Sequence, residues 1–390
     1  MGNLGSGYEH SLYSQSGYSQ SGGTGDSQSL GTGSHLDDRH VSGPRARGDS
    51  KSKLRLLIDA RKLLDGGIGR YTMSLLEMLA DERQGEELQV TALINPEHRK
   101  YIPERVVPLV THQHPFSVAG WLTGAGQIPW GLFDVFHSPH IVVPVGVPIP
   151  TVVTVHDIIP VTHPLNWLHQ RTTAYMLSRL RRPSVHVLTV SAASAQQLSD
   201  VLGIGAQVVP NVLPFAVRAR ASDDVKVAEG VPYVVGVFSN RKPHKGQRIF
   251  AEACAACGIK GIAIGKGASV IEGYPGIECR SEMSWEELLS VYLGARALVV
   301  SSRVEGFCLP AMEAKALGIR IVSTPEPAVC ELLDGNDEIA SDFTAMALAQ
   351  ALRRALDRTV SGYLWEKGEL LYPAMIIESL KGTYKGAAAR

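Results

Sequence analysis

The chain has no apolar run of the ~18 residues needed to span a membrane, and its N-terminus has no hydrophobic signal core. Neither a membrane-spanning helix nor a secretory leader is expected. Cysteine is scarce. The five present, Cys254, Cys257, Cys279, Cys308 and Cys330, are odd in number and fall late in the chain, which excludes the disulfide framework of a small secreted protein. Cys254 and Cys257 form a C-x-x-C in an Ala-rich stretch, but no second pair completes the four ligands of a structural zinc site. These absences point to a reducing cytoplasm. Net charge is also missing. Lys plus Arg number 38, as do Asp plus Glu, so no global field draws the chain to nucleic acid or to an anionic membrane. The basic run Arg179, Arg181 and Arg182 is a local exception. It reads either as a solvated helix face or as a peripheral contact for lipid head groups.

What is present suffices for two domains. The chain has 390 residues, 44% hydrophobic and 19% charged, which allows a sizeable core without disulfides. Residues 1–50 differ from the rest. They are rich in Gly, Ser, Gln and Tyr and almost free of Val, Ile and Leu, so they cannot bury enough apolar area to offset their ordering entropy. They read as a disordered tail, and the Arg47-Gly48-Asp49 tripeptide within it reads as chance. From Leu54 onward, short apolar runs alternate with stretches of helical spacing. Strands are expected at 54–58, 89–94, 106–110, 134–137, 151–155 and 186–190, with helices at 71–79, 166–180 and 192–202. Two prolines and a polar stretch break the pattern around 210–230, which reads as a linker. The alternation restarts with strands at 233–238, 261–264, 297–300 and 320–323 and helices at 247–257, 285–293 and 311–317. Helices from 342 close the chain. The expected fold class is α/β, with two Rossmann-like doubly wound domains, 54–212 and 231–390, facing across a cleft between their strand ends.

Four segments place chemistry at those strand ends. Gly66-Gly67-Ile68-Gly69-Arg70 follows the first strand and opens a helix. Glycines there permit close approach of a ligand to free helix N–H groups, although a plain strand-to-helix turn also uses glycine. The spacing is not that of a dinucleotide binder. His156-Asp157 ends an apolar strand. The histidine there serves either a sugar hydroxyl or phosphate, or simply the core. His137 and His140 flank the preceding strand's turn, but no carboxylate spacing supports a metal. The stretch 239–246 carries Arg241, Lys242, His244 and Lys245 before a helix, placing a fork and point charges where a diphosphate would bind, unless the loop is simply solvated. The most specific segment is Val304-Glu305-Gly306-Phe307-Cys308-Leu309-Pro310-Ala311-Met312-Glu313-Ala314. Gly306 permits a tight turn and Pro310 suits the first turn of a helix. Glu305 falls in the loop and Glu313 about one turn inside the helix. Carboxylates beside a helix N-terminus are poor phosphate ligands but good acceptors for sugar hydroxyls.

This frame resembles the signature of glycosyltransferase family 4, retaining enzymes of the GT-B fold. Glu305 and Glu313, with seven residues between them, sit in an EGF-x-LP-x-x-EA frame. The segments at 66–71, 155–157 and 241–245, Val190-Ser191 before a helix and Val209-Pro210-Asn211 match in order, over roughly residues 54–385. The resemblance implies that Lys245 and Arg241 hold a donor diphosphate with the helix N-terminus near Leu309. It implies that Glu313 accepts ribose hydroxyls, Glu305 contacts the transferred sugar and His156 reaches the sugar or its phosphate. Gly67 and Gly69 would line the donor-phosphate and acceptor side. Two departures stand out: Cys308 replaces a second glycine, and Asn211-Val212-Leu213 replaces Asn-Gly-Val.

The implied reaction moves a sugar from a nucleoside diphosphate sugar to an acceptor hydroxyl on a glycan, a lipid or a small natural product such as an aminoglycoside. The anomeric configuration is kept. No Asp-x-Asp occurs, so no catalytic metal and no resident cofactor are expected, and no carboxylate nucleophile is evident. The other readings are a sugar-nucleotide epimerase of the same architecture and a non-catalytic interaction protein of this fold.

Overall fold

The computed structural model describes residues 53–389, apart from 81–86, 116, 123, 165, 214–231, 282 and 359–372. The expected tail at 1–50 lies outside the described residues, as does most of the expected linker. The first sheet is built from β1 (Leu54–Asp59), β2 (Leu88–Ile94), β3 (Val107–Val110), β4 (Val135–Ser138), β5 (Thr151–Val155), β6 (Val185–Thr189) and β7 (Gln207–Val208). Its order is β3-β2-β1-β4-β5-β6-β7, and every pairing is parallel. Leu56, Leu57 and Ile58 are all fully buried, as a central parallel strand covered on both faces requires. The covering helices are α1 (Gly66–Leu79), α2 (Val118–Leu122), α3 (Ile159–Thr162), α4 (Trp167–Ser178) and α5 (Ala192–Leu202).

The second sheet repeats the plan. It contains β8 (Tyr233–Val237), β9 (Lys260–Ile264), β10 (Ile277–Arg280), β11 (Ala297–Val300), β12 (Ile321–Ser323) and β13 (Glu338–Ile339). Their order is β10-β9-β8-β11-β12-β13, again parallel. Its helices are α6 (Gln247–Cys257), α7 (Trp285–Leu293), α8 (Leu309–Ala316), α9 (Pro327–Cys330) and α10 (Ala345–Asp357), with α11 (Pro373–Ala388) following. Two Rossmann-like sheets are therefore present. Three edge strands, β7, β10 and β13, were not expected. Two of them are two residues long and the third contains Glu278 and Arg280, so none carries an apolar run to read.

Two boundaries differ from expectation. Helix α1 begins at Gly66, so the glycines form its first turn rather than a loop before it. Helix α11 does not close the second domain. It packs against β4, β5, β6 and α1, and the buried Tyr384 hydroxyl bonds His137 Nδ1 at 2.7 Å beneath the first sheet. The expected span 231–390 thus ends on a helix whose apolar face belongs to the first domain. One hydrophobic cluster includes residues of β1, α1, β11, α8 and α11, so core packing runs through both sheets. Among the described residues no helix is long and apolar enough to cross a membrane.

Candidate active site

In each sheet the strand order reverses once, between β1 and β4 and between β8 and β11. Loops leaving the carboxyl ends of these strands diverge there and leave a crevice. Arg241 and Lys245 lie on the loop after β8 and Glu305 on the loop after β11, while Gly67 and Gly69 open the helix after β1, Leu309 and Glu313 lie in α8, and His156 follows the neighbouring β5.

In the second domain two loops are locked together by Gly246. Its φ is 67°, and an added Cβ would overlap the Ser301 carbonyl oxygen. Ser301 Oγ donates to the Lys245 carbonyl at 3.1 Å, and the Arg303 N–H donates to the His244 carbonyl at 2.7 Å. This clamp sets the Lys245 ammonium 2.7 and 2.8 Å from the two Glu305 oxygens. Their side chains are 15% and 11% exposed. Burial works against the Lys245 charge, but the Glu305 carboxylate outweighs it and the pKa is raised. Lys245 and Glu305, expected to meet different parts of a ligand, are each other's partner here. His244 is half-buried; burial and the Lys245 charge push it down to about 4. Arg241 is exposed at the rim.

Beneath Glu305 lies a carboxyl group that sequence reasoning missed. Glu326 is 1% exposed. It accepts the Glu305 N–H at 3.1 Å and caps α9 by accepting the Val329 N–H at 2.8 Å. Burial pushes its pKa up to about 7. The signal available was a glutamate before Pro327, an N-cap position.

Helix α8 starts at Leu309 after Cys308, whose φ of 71° is the one positive value at a non-glycine among the described residues. Cys308 contributes no side-chain cap, so the first N–H groups of α8 have no side chain from that position. Left-handed backbone costs a side-chain-bearing residue roughly 1–2 kcal/mol, and the added chain entropy of glycine returns about 0.5–1 kcal/mol of that. Cys308→Gly should therefore stabilise the fold by about 0.5 kcal/mol. Denaturant unfolding checks the sign.

Glu313 is fully buried within α8. It accepts from the Tyr292 hydroxyl at 3.3 Å and pairs with Arg70 of α1, across from the other domain. In α1 itself, Asp65 makes no capping bond and Gly67 is exposed with open space at its Cβ position. Gly69 is different. It is buried, and a Cβ there would overlap the Leu63 carbonyl, so its need for glycine comes from packing within the chain.

The first-domain histidines divide in the same way. His137 is fully buried between Tyr384 and Thr154, and burial pushes its pKa to about 3. It joins α11 to the sheet. His140 lies 3.4 Å from Asp59, which also binds Arg61 at 2.6 Å. Burial works to raise the Asp59 pKa, but Arg61 holds it far below the carboxylate range. His156 lies at the crevice. Its Nε2 is 3.0 Å from the Pro139 carbonyl, and the Tyr71 ring meets it edge-on at 4.8 Å. A carbonyl only accepts, so Nε2 carries the hydrogen and Nδ1 is left as an acceptor. Burial pushes this histidine to about 4, so it is neutral at pH 7. Asp157 accepts the Ile159 N–H at 2.9 Å, and burial raises its pKa. Among the described residues, no three His, Cys, Asp or Glu come together as a metal site.

The two halves meet at Gly306. Its φ is not positive, so a tight turn is not what requires it. An added Cβ would overlap the His156 carbonyl oxygen. Ser191 and Ser194 Oγ donate to the Gly306 carbonyl at 2.7 and 3.0 Å. Close by, the Glu331 carboxylate caps α5 from the other domain, accepting from Ala192 and Ala193 N–H at 2.9 and 2.6 Å. This seam brings Glu305 and Lys245 beside His156 and Asp157.

Comparison with known proteins bears on the family and the fold. The family model described as Glycosyltransferase Family 4 matches residues 65–214, and that described as Glycosyl transferases group 1 matches residues 277–361. The O-antigen chain mannosyltransferase RfbU of Salmonella typhimurium is 24% identical over 193 residues. That match takes in 46% of this chain and 54% of the relative, so about half of its length is spanned. Among solved structures, the HepE protein of Anabaena in complex with UDP and glucose superposes with a TM-score of 0.63 at 16% identity, covering 85% of this chain and 100% of that one. The sucrose-phosphate synthase of Thermosynechococcus elongatus gives 0.64 at 16%, covering 86% and 100%. At these identities the structures speak for the fold, which is GT-B. The two family models fall one on each half and together take in more than half of the chain, and the chain belongs to the group 1, family 4 glycosyltransferases.

Proposed function

We propose that the enzyme transfers a sugar, with retention of anomeric configuration, from a nucleoside diphosphate sugar to an acceptor hydroxyl. The observation that carries this reading is the Lys245–Glu305 pair at the β8/β11 reversal, set against His156 and Asp157 across the seam. A cation, two carboxyl groups and a neutral histidine converge there, beside an α8 N-terminus that Cys308 leaves without a side-chain cap. The diphosphate lies against Lys245, with Arg241 at the rim and the N–H groups near Leu309 completing the cradle. Gly67, exposed in the first turn of α1, approaches the same phosphates from the first domain. Glu313 faces the nucleoside, so Arg70 must yield at least one of its oxygens to the ribose. Glu305 faces the sugar.

In the reaction the bond between the anomeric carbon and the diphosphate oxygen breaks, and the electron pair leaves with the diphosphate. The acceptor oxygen bonds the same carbon from the same face, and its proton passes to the departing oxygen. Lys245 and the α8 N–H groups stabilise the charge that develops, by preorganised electrostatics. His156 offers Nδ1 as an acceptor for a sugar hydroxyl, a role that needs a neutral ring. The HepE complex holds UDP and glucose, and RfbU is a mannosyltransferase; both support nucleotide sugars as the first probes.

A panel of nucleotide sugars tested for thermal stabilisation examines this directly. A ligand at a hundredfold excess over its Kd adds about 2.7 kcal/mol of stability. Turnover of the stabilising donor should survive EDTA. Stabilisation by no nucleotide overturns the reading. Release of an epimerised nucleotide sugar without any acceptor replaces it by an epimerase.

A further inference from the structure

One stretch of the first domain is almost without carboxylates. Between Glu104 and Asp200 the sequence holds five arginines, no lysine and only two acids, Asp134 and Asp157. Both are engaged. Asp134 pairs with Arg55 at 3.0 Å, and Asp157 lies at the crevice. In a chain of zero net charge this stretch carries a local excess of positive charge.

Helix α4 runs across it. Trp167, Leu168, Arg171, Thr172 and Tyr175 are exposed, at a spacing that keeps them on one side of a helix. Trp167 is 67% exposed, Tyr175 58% and Leu168 54%. The stripe continues onto α2. The Tyr175 ring meets Trp121 edge-on at 6.1 Å, Arg179 stacks over Trp121 at 5.2 Å, and Leu122 beside it is 51% exposed. Past the end of α4, Arg181 and Arg182 rim a surface depression of about 350 Å³, together with Leu180, Gly203 and Ile204.

We propose that this α2–α4 face docks on an anionic bilayer surface. Trp167, Leu168, Tyr175 and Leu122 enter the headgroup layer, and Arg171 and Arg182 meet lipid phosphates. The chemistry of this face selects the occupant. Trp and Tyr rings settle at the boundary between headgroups and acyl chains, and arginine beside them adds attraction to anionic lipid. Arg171 already lies over the Trp167 ring, 5.7 Å from its centroid, so charge and apolar surface are presented together. A second copy of the chain fits poorly, because a two-fold contact would set arginines against arginines. Helix α3 leads directly from Asp157 to α4, so the crevice opens beside the docked face. An acceptor carried in the bilayer would reach it there; this last consequence rests on the proposed transfer reaction, and the docking does not.

Sedimentation of the full chain with vesicles tests the proposal. The probes are phosphatidylcholine alone and phosphatidylcholine mixed with phosphatidylglycerol. Binding to the mixed vesicles should be roughly tenfold or more tighter, and salt should weaken it. Trp167→Ser/Leu168→Ser and Arg171→Glu/Arg182→Glu should each weaken it by roughly tenfold or more. These positions are exposed, so melting should hardly change. Nucleoside diphosphate binding, read by calorimetry on the same preparations, should stay at the wild-type value. Lost nucleotide binding with intact docking speaks against the transfer reaction alone. The docking is overturned if the wild type ignores anionic vesicles or if both variants bind as it does. A concentration-dependent dimer dissolved by Trp167→Ser, with no vesicle binding, also overturns it.

Discussion

Lys245→Ala should weaken binding of a nucleoside diphosphate by about one to two orders of magnitude, the effect of a charge-assisted bond worth ~1.5–3 kcal/mol. Transfer should fall further, by about 10²–10³-fold, since a group that stabilises developing charge acts most strongly in the transition state. The geometry adds a second consequence. Lys245 is held by both oxygens of a nearly buried Glu305, so its removal leaves that carboxylate without its cation, a strongly unfavourable state for a buried ion. Glu305→Gln works the other way. It removes the charge that competes for the ammonium, so bare nucleoside diphosphate should bind as tightly as to the wild type or more tightly, while turnover falls. Glu313→Gln should weaken the bare nucleotide. Calorimetry beside steady-state kinetics separates these outcomes. If Glu305→Gln and Glu313→Gln weaken the bare nucleotide equally, the assigned division between sugar and nucleoside is wrong. If Lys245→Ala leaves nucleotide affinity unchanged, Lys245 does not meet the diphosphate.

Glu326 should impose a slope on stability between pH 4.5 and pH 7. Its pKa rises from the ordinary 4.5 to about 7 because burial disfavours the charge, although the N–H groups of Val329 and Glu305 favour it. Over that range the unfolded chain has released this proton and the folded chain still holds it. Folding then takes up a proton, so stability falls as pH rises. At 1.36 kcal/mol per unit the loss is about 3 kcal/mol, and it is complete above pH 7. The groups facing Glu326 are the Glu305 carboxylate, which opposes its charge, and the backbone N–H groups it caps. Glu326→Gln has nothing to titrate there, so the stability of wild type minus variant should decline by that amount across the window. Denaturant unfolding at a series of pH values reads it. Parallel curves for the two proteins would show that Glu326 titrates as in the unfolded chain. Above pH 7 the ionised carboxylate accepts both N–H groups, which holds the Glu305 loop. Turnover of the wild type should therefore show an acid limb near pH 7 that the variant lacks.

The central strands were legible because burial on both faces demands uninterrupted apolar residues. Those at 54–58, 151–155 and 297–300 appear within a residue of where the sequence puts them. The short edges β7 and β13 carry no such demand and left no signal. The glycine segment at 66–69 was seen, but not that it forms the first turn of α1, because glycine reads as a turn wherever periodicity is weak. Its two site glycines also proved unlike. The open space at Gly67 and the carbonyl pressed against Gly69 depend on how α1 lies over residues 62 and 63.

The sequence by itself determined the α/β class, the strand-end positions of the candidate residues and the family frame around Glu305 and Glu313. Each of these is written within a few neighbouring positions. Only the tertiary structure decided which groups became partners. Lys245 and Glu305 are 60 residues apart, and Glu305 and Glu326 are 21 apart. Arg70 and Glu313 come from opposite domains. Gly306 looked like a turn residue and serves instead as the place where one domain's backbone passes over the carbonyl of the other. The return of α11 to the first sheet was equally hidden, since an amphipathic helix states that it has an apolar face but not which sheet will cover it. Local physics sets the elements and their faces. Which charges are buried together, and therefore what their protons do, is fixed by contacts distant in sequence.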